Sequence, residues 1–167
     1  MPVVSRFKLG NLEIMKVISP GARCDSLLPI AAKLSVDHSF DHVVVNVGAN
    51  YIRQQISPVV VAAEISDFLG ALTDLFGCKM SGSCVLPQRN VASIEDINFI
   101  NNRVNDFCAS RGVGLFQYPQ FKRVRGKLDT SLFAIDGIHP SRYGVKALFD
   151  SFVEHIKLEN KWGDLDR

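Results

Sequence analysis

Short apolar runs alternate with amphipathic stretches along this chain, and that alternation leaves few folds open. Residues 12–18 (LEIMKVI) alternate at the period of a strand, and Ser19-Pro20-Gly21 ends them with turn residues. Leu27, Leu28, Ile30, Ala31 and Leu34 follow at helical spacing, with Asp25 as the expected N-cap. Residues 42–47 (HVVVNV) are a β-branched run of the kind buried in a parallel sheet. Ser57-Pro58 reads as the N-cap and first residue of a helix with Val61, Ile65, Phe68, Leu69 and Leu72 on its apolar face. Gly77 is its natural stop. A short strand is expected at 83–86. Ser93 and Asp96 resemble a capping box, ahead of a helical stripe of Ile97, Ile100, Val104 and Cys108 that ends near Gly112. Another strand is expected at 113–118, and Ser141 caps a last helix.

Strand–helix alternation of this kind implies an α/β fold, a parallel sheet with helices on both faces and right-handed crossovers. The 167 residues suffice for one domain with a sizeable core. Hydrophobic residues are 47% and charged residues 22%, as in a soluble globular protein, and the net charge of +2 makes no case for nucleic acid. No apolar run has the roughly 18 residues of a membrane span, and residues 1–10 hold no apolar signal core. Cys24, Cys78, Cys84 and Cys108 form no C-x-x-C pair and stand beside no histidine at metal spacing. They read as reduced, partly buried thiols, which leans towards an intracellular, cytoplasmic protein.

Ligands of such sheets sit beyond the carboxyl ends of the strands. The residues there are Pro20-Gly21-Ala22-Arg23, then Gly48-Ala49-Asn50-Tyr51, then Asp136-Gly137-Ile138-His139-Pro140. Asp136 and His139 are the sharpest pair. A general base needs one imidazole nitrogen facing the reaction and the other held by a carboxylate. The alternative is an Asp capping a turn beside a surface His. Asn50 could donate its amide to a developing oxyanion, and Gly21 its backbone N–H, though each also reads as an ordinary turn residue.

Together these residues resemble the SGNH hydrolase family, the GDSL-type esterases. That family has a flavodoxin-like three-layer α/β/α fold. Its four sequence blocks supply a nucleophilic Ser, an oxyanion Gly, an oxyanion Asn and a D-x-x-H pair. Gly21 in PGAR resembles the second block, Gly48-Ala49-Asn50 the third, and Asp136 to His139 (DGIH) the fourth, over residues 12 to 157. The wording LFAIDGIHPSRYG is especially like SGNH-like domains of animal genomes and of some retrotransposon-encoded proteins. The resemblance implies His139 as base, Asp136 as its orienter, Asn50 and Gly21 as oxyanion donors, a small ester or acyl substrate, and no metal or organic cofactor.

This chain departs from the pattern twice. Tyr51 stands where the family usually has Asp. The Gly-Asp-Ser block is absent, so the nucleophile is unassigned. Cys24-Asp25-Ser26-Leu27 spells almost GDSL, but the distance to His42 leaves room for one helix and no further strand. Ser26 is therefore read as the first turn of a helix. The expectation is that Met1 falls just after the family's serine turn, that residues 1–10 are the tail of the first helix, and that the parallel sheet lacks its first strand. The domain would then span 1–157, with 158–167 a loosely packed tail. On this reading the chain is an inactive esterase domain; the alternative is a non-catalytic interaction or anion-binding module of the same fold.

Several other residues read as unremarkable. Lys122, Arg123, Arg125 and Lys127 read as a solvated basic loop. His38 and His42 read as turn or surface residues, and His155 as a cation suited to a helix end.

Overall fold

The computed structural model describes residues 2–88, 93–121 and 124–160. Two strands come first, β1 (Val3–Leu9) and β2 (Leu12–Ile18), followed by helix α1 (Cys24–Asp37) and strand β3 (His42–Val45). Next come α2 (Ala49–Arg53), α3 (Pro58–Phe76), β4 (Lys79–Ser83), α4 (Ile94–Arg111), β5 (Gly114–Phe116) and α5 (Arg142–Asn160). Single 3-10 turns at Pro119–Phe121 and Thr130–Leu132 interrupt the long connection from β5 to α5.

The parallel sheet has the order β3-β4-β5, with His42 opposite Lys79 and Ser81 opposite Gly114. Side chains alternate across it as the period of a strand requires. Val43 and Val45 face a core built with α1, α3 and α4, centred on Val61, Leu69, Ile100 and Val104. Val44 faces a second core, of Phe116, Tyr118, Phe121, Phe133 and Leu148, which α5 closes. This is the expected three-layer α/β/α arrangement. Among the described residues no helix is long and apolar enough to cross a membrane.

The amino-terminal region differs from expectation in two ways. Residues 3–9 are not the tail of a helix. They form β1, which runs antiparallel to β2 from Val3 opposite Ile18 to Leu9 opposite Leu12. Gly10-Asn11 makes the two-residue turn, a pairing whose backbone twist suits a hairpin. The strand over Leu12–Ile18 has the expected limits but pairs with β1, not with the parallel sheet. β3 therefore keeps one side without a strand neighbour among the described residues. The hairpin leans on the domain through Phe7, whose ring lies 5.7 Å from that of Phe149 in α5.

Capping chemistry explains the helix limits. Pro58 opens α3 after Ser57, and α3 and α4 stop at Gly77 and Gly112. Ser93 accepts a hydrogen bond from the Asp96 N–H at 3.1 Å. Ser141 accepts one from the Gly144 N–H at the start of α5. For α1 the cap is Arg23, not Asp25: the Arg23 N–H donates to the Ser26 hydroxyl at 3.0 Å, and that hydroxyl donates back to the Arg23 carbonyl. Strand β4 lies at Lys79–Ser83 and not at 83–86, so Cys84 to Leu86 leave the sheet as a connection. Of the basic loop, Lys122 and Arg123 lie outside the described residues, and Arg125 turns with a φ of 51°.

Candidate active site

The turn before α1 and the connections that follow β3 and β5 carry the residues singled out by the sequence. The first clamp joins the turn before α1 to the turn after β3. The Asn50 amide donates to the Ala22 carbonyl at 2.9 Å, and the Cys24 N–H donates to the Tyr51 hydroxyl at 3.0 Å. Gly21, with a φ of 71°, sits inside the turn so held. Tyr51 is fully buried, and the Arg23 guanidinium lies over its ring at 4.6 Å. Arg23 also reaches the Gln54 amide oxygen at 3.2 Å and the Glu64 carboxylate at 3.4 Å. From the connection after β4, the buried Gln88 donates its amide to the Ala49 carbonyl at 3.3 Å.

Gly48 makes this crossing possible. Its φ of 127° lies where side chains are strained, and a Cβ there would stand 2.5 Å from Val85 Cγ2 and 3.3 Å from Ile65 Cδ1. Gly48→Ala is expected to cost about 2–4 kcal/mol from strain and overpacking together, read as a lowered urea midpoint. A midpoint equal to that of the unsubstituted chain would refute the close approach.

The second element is the turn after β5. Asp136 Oδ1 accepts from the Ile138 N–H at 2.9 Å and the His139 N–H at 3.0 Å, while Oδ2 lies 2.5 Å from His139 Nδ1. The His139 hydrogen bond, followed by the two backbone N–H groups, pulls the Asp136 carboxyl down to about 2. The ionised carboxylate must accept, so Nδ1 carries the proton and the neutral ring presents a bare Nε2. That is the tautomer a general base needs. The Ala134 N–H donates to the His139 carbonyl at 2.8 Å, and the Ser141 N–H to the Leu132 carbonyl at 2.9 Å, which fix the turn against α5.

Gly21 and Asn50 are thus brought together, and so are Asp136 and His139. Among the described residues no hydrogen bond or ion pair links the one pair to the other, and no serine hydroxyl bonds to His139. Ser26 is committed to the first turn of α1, as expected. Arg23 and Tyr51 stand among the strand-end residues of the sequence but carry no expected role there, and Glu64 and Gln88 give no sequence signal. Only the Tyr for Asp exchange after Asn50 hints at the clamp.

No family profile and no curated protein matches the chain. Solved structures do. A GDSL-like lipase from Bacteroides thetaiotaomicron superposes with a TM-score of 0.68 at 18% identity, over 83% of this chain and 73% of that one. The lipase/acylhydrolase from Enterococcus faecalis gives 0.65 at 15% identity, over 83% and 72%. The psychrotrophic esterase EstA from Pseudoalteromonas sp., in a form inhibited by monoethylphosphonate, gives 0.61 at 13%, over 82% and 74%. The fold of this chain is therefore that of the SGNH, or GDSL-type, hydrolases.

Proposed function

We propose that this chain carries three of the four working parts of an SGNH-type acyl-ester hydrolase site and does not turn esters over by itself. His139 is the base, Asp136 its orienter, and Gly21 with Asn50 the oxyanion donors. The substrate class is a small ester or acyl compound. The observation that carries this reading is the Asp136–His139 contact of 2.5 Å, with the bare Nε2 tautomer it enforces. The reading of inactivity is supported by the lack of a serine hydroxyl on His139 among the described residues. The second reading is a non-catalytic interaction or anion-binding module. It is favoured by Asn50, which spends one amide N–H on its own chain's Ala22 carbonyl.

The test is hydrolysis of p-nitrophenyl acetate by the chain and by His139→Ala. Rates of the two are expected to agree within about twofold, the residue of surface reactivity. A rate that His139→Ala lowers by about a hundredfold or more would establish catalysis and overturn the inactive reading. Asp136→Asn tests the other half. It is expected to shift the ring of His139 away from the Nδ1–H tautomer, visible in nitrogen chemical shifts. An unchanged tautomer would remove Asp136 from the role of orienter.

A further inference from the structure

A second group of titratable side chains lies away from the carboxyl-end loops, between the sheet and the last helix. His42 opens β3, Ser81 is in β4 and His155 is in α5. His42 Nε2 is 2.7 Å from the Ser81 hydroxyl and His155 Nε2 is 2.8 Å from the same oxygen. Ser81 is fully buried, so its hydroxyl cannot turn to water. The His155 ring stacks on Phe116 at 4.4 Å, and Gly114 leaves the space beside Ser81 and His155 open. The sequence reading of His42 as a surface residue and of His155 as a helix-end cation is thereby corrected. Burial, more than any charge, pushes the His42 ring down to about 4, and it lowers His155 as well.

Proton counting makes the arrangement conditional. A hydroxyl has one proton to give and two lone pairs to receive with. With both rings neutral, one imidazole donates its Nε2–H to Ser81, and Ser81 donates to the bare Nε2 of the other. A proton added to the accepting ring turns it into a second donor. Ser81 then has to accept both bonds, and its own hydrogen loses the imidazole acceptor it had, in a buried place. A second proton puts two cations within 6.1 Å, centroid to centroid. The charged groups facing the pair are Lys79 of β4, which disfavours protonation, and Glu159 of α5, which favours it. Those two are paired with each other, and Lys79 also donates to the Glu159 carbonyl.

We propose that His42, Ser81 and His155 form an acid-released latch, which docks the carboxyl-terminal half of α5 on the sheet and lets it go when the imidazoles take up protons. Both rings bind protons less readily docked than undocked. The latch is at full strength above the ordinary histidine value of about 6.5, weakens as pH falls from there towards about 4, and loses up to tenfold per pH unit for each ring.

Hydrogen exchange on the whole chain at pH 7.5 and 5.0, corrected for intrinsic rates, tests this. Protection of the amides at 151–159 is expected to fall by at least about tenfold at the lower pH, with α3 and α4 unchanged. The double substitution His42→Gln, His155→Gln is expected to abolish that pH dependence. Ring titration of the unsubstituted protein by NMR gives a check that needs no variant: His42 is expected to titrate below pH 5. Equal loss of protection in α3, α4 and α5 would overturn the latch. So would a His42 midpoint near 6.5, or a double variant as acid-sensitive as the original.

Discussion

Alanine at Gly144 is expected to destabilise the protein by about 3 kcal/mol or more, although it improves the helix in which it lies. Gly144 is the third residue of α5, and Gly→Ala inside a helix ordinarily gains about 1 kcal/mol. Here a Cβ would stand 2.1 Å from the Leu132 carbonyl oxygen, 3.1 Å from its carbon and 3.0 Å from Pro140 Cβ. Backbone atoms cannot swing aside as a side chain would, so the steric cost outweighs the propensity gain. The same oxygen accepts the Ser141 N–H at 2.9 Å, and pushing it away loosens the segment that carries Asp136 and His139. The urea midpoint should drop, and the His139 nitrogen shifts should move with it. A variant within about 0.5 kcal/mol of the original would refute the close approach of α5 to Leu132.

Tyr51 carries the second large effect. Truncation to alanine is expected to cost about 3–5 kcal/mol, as for any large aromatic in a closed core. Tyr51→Phe separates two contributions. It keeps the ring under the Arg23 guanidinium and removes the hydroxyl that accepts the Cys24 N–H and also hydrogen-bonds with Glu64, for about 1–2 kcal/mol. Both values are read from denaturant unfolding. If Tyr51→Phe proved as damaging as Tyr51→Ala, the hydroxyl and not the packing would hold the turn around Gly21. If both were neutral, the double clamp on that turn would be wrong.

Local chemistry was legible in the sequence where it depends on neighbours in the chain. Ser57-Pro58, Gly77, Ser93, Gly112 and Ser141 mark helix limits because caps act within one turn. Asp136 and His139 were legible for the same reason, since one tight turn brings both together. β4 was misplaced because KMSGS lacks the β-branched residues that mark a strand, while Val85 and Leu86 beyond it are apolar. Gly10-Asn11 between alternating runs is a hairpin signal for β1, but the resemblance, which makes residues 1–10 the tail of a helix, points away from it. The contacts of Arg23 with Glu64, and of His42 and His155 with Ser81, join residues far apart in sequence. No periodicity encodes such meetings; only the packed sheet creates them.

The antiparallel hairpin and the parallel sheet also differ in when they can form. β1 and β2 are joined by two residues, so their ladder needs almost no loop closure and closes on the microsecond scale. β3, β4 and β5 are each separated by a whole helix, and their pairing waits for those crossovers. The hairpin is thus ready early, but Phe149, the ring that receives Phe7, belongs to the last helix of the described chain. Of the elements described, the earliest in the chain is thus among the last to dock. Until then the cross-strand pair Phe7 and Ile14, half-buried in the docked hairpin, stays in water.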